Sequence, residues 1–177
     1  GNYNTTLRRN VGNVSDREYF KHAMEGKTVV SNPVISRSTG KPAAFIASPI
    51  LDGNGKIKGV MAGAVNLIKL SRIIENLKYN YPNSYSYIVD KEGQIIAHPR
   101  EELILRHNIT KESDVISKSI AEVSAEILTN DRGSNTYSFE NIVSMNYYHI
   151  IPNTDGWKLI IKIPVNYWHT PMRYTSS

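Results

Sequence analysis

The sequence predicts an α+β chain of two tandem modules, each an antiparallel sheet flanked by helices, and three observations carry that prediction. A turn phrase is written twice, as ILDGNGKIKG at 50–59 and as IVDKEGQIIA at 88–97. β-rich runs flank both copies. Between them and around them lie segments whose apolar residues recur at helical spacing instead. In each copy an Asp can bond its own backbone two residues on, and a Gly three residues after it accepts positive φ without steric cost. Two apolar runs joined by such a turn predict antiparallel pairing, and the duplication predicts two related sheets.

Taken in order, residues 14–26 (VSDREYFKHAMEG) predict a helix of about three turns. Ser15 and Glu18 have the spacing of a capping box, Val14 and Tyr19 that of a hydrophobic staple, and Gly26 stands where a left-handed turn ends the helix. From 33 to 66 the chain predicts strands, with a Ser-Thr-Gly-Lys-Pro turn at 38–42 and the Asp52 hairpin further on. The strand after that hairpin carries Ala62, Gly63 and Ala64, small residues that leave room above a sheet for a ligand or a close-packed helix. Leu67, Leu70, Ile73, Ile74 and Leu77 predict a helix with one apolar face. The turn residues Pro82, Asn83 and Ser84 follow it. The first module is accordingly placed at 1–80 and the second at 81–168, leaving 169–177 as a tail. The second module opens with SYSYIVD and its returning strand QIIAHP. A helix over about 114–129 follows, capped by Ser113 or Asp114, with Ile116, Ile120, Val123 and Ile127 on one face. Three strands close the chain, the last two joined at Asn153–Gly156.

Composition narrows the function. Zero cysteines exclude disulfides, thiolate catalysis and Cys-ligated metals. The net charge of +5 is spread thinly, with Arg8-Arg9 the one adjacent basic pair and no basic cluster among aromatics. It reads as a solvated surface and predicts no nucleic-acid partner. No apolar run approaches the roughly 18 residues of a membrane span, and the first ten residues lack the apolar middle of a signal peptide. AMEGKT at 23–28 lacks the first glycine of a phosphate-binding loop and ends a helix where that loop would open one. The five histidines have no metal-binding spacing, and His98, alone at a strand end, reads as a hydrogen-bonded structural residue. No nucleophile elbow or marked acid pair occurs. No catalytic residue, metal site or cofactor is predicted.

Arg17 is the residue hardest to read as mere surface. In the first turn of the predicted helix, free backbone N–H groups already supply partial positive charge, so a further cation there calls for an anion. A carboxylate could accept charge-assisted bonds from the guanidinium and those amides together. Neutralisation by Asp16 or Glu18 is the alternative.

DREYFKHAMEGK, SNPVISRSTGKPAAFIASPI with GKIKGVMAGAVNL, SYSYIVDKEGQIIAHP and TDGWKLIIKIPV, in that order, closely resemble the double Cache sensor domains of bacterial and archaeal receptors. The resemblance implies two PAS-like modules, a membrane-distal one at 1–80 and a membrane-proximal one at 81–168, carried on an N-terminal stalk helix that this chain lacks. It implies an extracytoplasmic position between two transmembrane helices, a homodimer in the full receptor, and a chemotaxis, histidine kinase or diguanylate cyclase output. The family's pocket lies in the distal module, where Arg17, Tyr19 and Phe20 match its R-x-aromatic-aromatic motif. Amino-acid binders of the family add two aspartates at positions held here by Ser36 and Ala64. An α-amino group would then be buried unpaired. The expected ligand is therefore a small organic anion held by Arg17, with Tyr19, Phe20, Ser36, Ser48 and Ala64 around it. The alternative is a ligand-free module that senses through a binding protein or receptor partner.

Overall fold

The computed structural model describes residues 2–5, 8–37, 39–77 and 81–165. The expected tail at 169–177 lies outside them. Two compact units result, one of residues 1–67 together with Asn153–Asp155, the other of residues 68–152 and 156–177. The boundary expected after residue 80 therefore falls at Leu67/Ile68.

The first unit opens with a hairpin of β1 (Asn2–Thr5) and β2 (Arg8–Asn13), which the polar, pattern-free N-terminal sequence did not suggest. Helix α1 (Glu18–Met24) follows. It starts two residues later than a Ser15 cap requires: Arg17 is the N-cap residue, without a side-chain bond, and the Asn13 Oδ1 accepts from both the backbone N and the Oγ of Ser15 at 2.9 and 2.7 Å. That Asx turn holds Ser15 away from the helix, and no capping box forms. The other end is as expected, with Gly26 at φ +89 and the Lys27 amide donating to the His22 carbonyl.

Strands β3 (Val29–Val30) and β4 (Val34–Ile35) pair in succession along one edge of β5 (Pro42–Leu51), and β6 (Ile57–Asn66) pairs with the other edge. α1 packs on this sheet through Tyr19, Ala23 and Ala47, with Phe45 and Val60 beside them. Tyr19 stacks on Phe45, the ring centroids 4.8 Å apart. Ile46, Ile50 and Met61 are exposed.

The second unit begins with α2 (Leu67–Glu75, whose first residue belongs to the first unit). Leu67 and Ile74 are buried as their spacing predicts, but Ile73 is 65% exposed and Leu77 is exposed too, so the apolar face is narrower than expected. Strands β7 (Tyr85–Val89), β8 (Ile95–Ala97), β9 (Arg132–Phe139), β10 (Ile142–Ile150) and β11 (Lys158–Pro164) form one antiparallel sheet in the order β8-β7-β11-β10-β9. Helix α3 (Lys118–Thr129) covers it. Its cap is Ser117, whose Oγ accepts from the Ile120 amide; Ser113, the expected cap, instead closes a local turn by accepting from the Val115 and Ile116 amides. Ile120 and Ile127 of α3 meet Tyr87, Val89, Ile95, Tyr148 and Ile160 in a continuous core.

The duplicated phrase is one structure made twice. Asp52 Oδ1 accepts from the Asn54 and Lys56 amides, and Asp90 Oδ1 from the Glu92 and Gln94 amides, all four bonds at 2.9 Å. The Gly55 and Gly93 amides each donate to the carbonyl of their Asp at 3.0 Å, with φ +79 and +83. Each copy joins two antiparallel strands of its own unit.

Candidate functional site

Within the first unit the chain encloses an open recess of about 650 Å³. Asp16, Arg17 and Tyr19 at the start of α1 form one wall, Val29 and Val30 of β3 another, and Thr154 and Asp155 line it as well. The volume lies in the range that small-molecule sites occupy.

The charges around Arg17 are distributed unevenly. The Arg37 guanidinium grips Asp16 at 2.7 and 3.3 Å and holds its carboxyl below the usual range. Lys21 bonds Glu18 at 2.7 Å with the same effect. Both carboxylates that could have neutralised Arg17 are thus engaged by other cations. Among the described residues Arg17 pairs with no carboxylate, and it is half-buried where it lines the recess. It adopts extended backbone as the N-cap of a seven-residue helix, not first-turn geometry, so the helix tip supplies less positive charge than the sequence suggested. What remains is a half-buried cation, outside any ion pair among the described residues, on the wall of a partly apolar recess.

The expected site residues are not all brought together. Arg17 and Tyr19 line the recess. Phe20, one residue on, packs with the helix–sheet core. Ser36 is buried in the turn between β4 and β5, where its amide donates to the Lys41 carbonyl. Ser48 stands behind the lining, its hydroxyl 2.8 Å from that of Thr28, which does reach the recess. Ala62, Gly63 and Ala64 of β6 are all exposed, and none of them lines the recess, so the room expected above this strand is not the recess itself. Thr28, Val29 and Asp155 were missed. Nothing in their local sequence marks them, since only the fold brings Asp155 to α1.

With this geometry in place the comparisons with known proteins can be read. The family model described as Cache domain, in its double-Cache form, matches residues 3–172. The chain belongs to that family of sensor domains. The methyl-accepting chemotaxis protein PscA of Pseudomonas syringae pv. tomato is 33% identical over 112 residues, 63% of this chain and 17% of that protein. Sporulation kinase D of Bacillus subtilis is 32% identical over 93 residues, 52% of this chain and 18% of the kinase. The chain thus spans less than a fifth of the length of either relative. Among solved structures, the ligand-binding domain of the Pseudomonas aeruginosa amino acid chemoreceptor PctB, in complex with L-Arg, shares the fold with a TM-score of 0.64 at 17% identity, over 92% of this chain and 68% of that one. Among the described residues no helix is long and apolar enough to cross a membrane.

Proposed function

We propose that this chain is the extracytoplasmic ligand-sensing domain of a transmembrane signalling receptor, and that the recess beside α1 binds a small organic anion through its carboxylate. The receptor would be a chemoreceptor, histidine kinase or diguanylate cyclase, dimeric in the membrane, with the first unit distal. One observation carries the ligand reading: Arg17 lines the recess without a carboxylate partner, while Asp16 and Glu18 are held by Arg37 and Lys21. Arg17 donates charge-assisted bonds to the carboxylate, and Tyr19, fixed by its stack on Phe45, supplies an apolar wall. The ligand signals by binding one arrangement of the receptor more tightly than the other, since equal affinity for both would shift nothing.

Asp155 favours a second reading. It lies on the same recess and could face an ammonium group, as an amino-acid ligand would require. Thermal melts separate the two. A carboxylate ligand at a hundredfold excess over its Kd stabilises by about 2.7 kcal/mol, which raises the melting temperature by about 5–10 °C for a chain of this size. Simple mono- and dicarboxylates should produce such a rise and their carboxamides should not. Equal shifts from acid and amide would contradict the anion reading; larger shifts from the matching α-amino acids would favour the second.

A further inference from the structure

The second unit contains a small, partly open pocket of about 120 Å³ that the reading above does not use. Volumes of this size hold roughly four waters at about 30 Å³ each, or one molecule of a few heavy atoms. Strand register puts its polar groups together. Tyr85 and Tyr87 sit two apart on β7 and so share a face. Lys162 of β11 is the cross-strand partner of Tyr85, and its Nζ lies 5.1 Å from the Tyr85 ring centroid. On the other side, the pairing of Ile88 with Ala97 brings His98 beside Tyr87, their ring centroids 5.7 Å apart.

Two of these groups are buried, Tyr87 and His98, while Tyr85 and Lys162 are half-buried at the edge of the pocket. Tyr87 is 5% exposed and His98 6%. His98 Nδ1 accepts from the Arg100 amide at 2.9 Å, which leaves its other ring nitrogen to carry the proton. Among the described residues, the Tyr85 and Tyr87 hydroxyls, the His98 Nε2–H and the Lys162 ammonium have no hydrogen-bond partner. Burial, with smaller contributions from the nearby Tyr137 and Tyr85 phenols, pushes the Tyr87 hydroxyl's pKa up; Tyr137, the third phenol in the lining, is itself bonded to Ser144. Buried polar groups such as the Tyr87 hydroxyl and the His98 Nε2–H are almost always satisfied, by protein, by water or by something bound. No acidic side chain lines the cavity; Glu140 acts on Lys162 and Glu102 on His98 only from beyond it, and Glu102 is already bonded to Arg100. A lining of donors with two cations, Lys162 and the Glu102-bonded Arg100, and no carboxylate is complementary to an anion, whose charge water cannot supply.

We propose that this cavity is a second ligand site, which takes a monocarboxylate of about acetate size between the Tyr85 and Tyr87 hydroxyls, the His98 Nε2–H and the Lys162 ammonium. The apolar end of the ligand meets Ile95, Ile116 and Phe139, which also line the cavity. The site is independent of Arg17, so each can fail alone.

Thermal melts of the Arg17→Ala chain in sodium acetate, against sodium chloride at the same concentration and pH 7, test the proposal. The expected result is a saturable rise of several degrees specific to acetate, lost in Arg17→Ala chains that also carry Lys162→Met or Tyr87→Phe. If Tyr87→Phe does not fold, Lys162→Met decides alone. Acetate that stabilises no more than chloride, or a full response kept by either folded variant, overturns the site. A response present in the native chain but absent from Arg17→Ala belongs to the recess of the first unit; it overturns the second site and leaves the first intact.

Discussion

Gly93→Ala should lower the stability of the domain by about 2–4 kcal/mol, while Gly55→Ala, at the matching position of the duplicated turn, should cost about 1–2 kcal/mol. Both glycines have φ near +80, where an L side chain is strained. Their surroundings differ. A Cβ on Gly55 would meet nothing within 4 Å, whereas one on Gly93 would lie 3.0 Å from Asn108 Oδ1 and Thr110 Cγ2 and 3.2 Å from Ile109 Cγ1. Those neighbours cannot retreat easily, because the Ile109 amide donates to the Gly93 carbonyl and the Asn108 side chain to the Glu92 carbonyl. Steric crowding therefore adds to backbone strain in the second copy alone. Urea denaturation of the two variants checks this; equal losses would mean that the loop over Gly93 yields without cost.

Acid should weaken the second unit through His98. Burial of the imidazole, reinforced by the nearby Arg100 guanidinium, pushes its pKa down to about 4 from the usual 6.5. The sign follows from proton uptake. Above pH 6.5 His98 is neutral whether folded or unfolded and costs nothing. Between 6.5 and about 4 the unfolded chain binds a proton that the folded chain refuses, so stability falls with pH, by about 3 kcal/mol over the window. Below about 4 the loss levels off. Lys162 and Arg100 oppose a charge on His98, Glu102 favours it, and Tyr85 and Tyr87 enclose the ring without charge. His98→Asn keeps an acceptor for the Arg100 amide and cannot titrate. Its stability should therefore lack this slope, and parallel pH profiles for the two proteins would contradict the assignment.

The strands and turns were legible because alternation and Asp/Gly chemistry are local. Asp52 and Asp90 announce their hairpins from four residues of sequence, and the registers of β7 with β8 and β5 with β6 follow from them. Helix starts were less legible, because short polar residues cluster there and compete. Asn13 captured Ser15, and Ser113 spent its hydroxyl on a turn, leaving the caps to Arg17 and Ser117. Arg17 could be picked out because a cation at a helix entry calls for an anion, and Tyr19 because the resemblance to double Cache domains carries its motif onto this position. The remaining walls could not, since Val29 is an ordinary strand residue and Asp155 lies far away along the chain. The Tyr85–Tyr87 spacing was visible, but the pocket beside it depends on Lys162, the partner of Tyr85, arriving seventy-seven residues later.

Calorimetric titration of the best-binding carboxylate into the native chain and into Arg17→Ala bears most directly on the sensing role. Charge-assisted bonds of the kind Arg17 can donate contribute about 1.5–3 kcal/mol, so the variant should bind about 10- to 150-fold more weakly while melting at nearly the native temperature without ligand. Unchanged affinity in a folded Arg17→Ala chain would show that the guanidinium does not hold the ligand, and the assignment of the recess would fall with it.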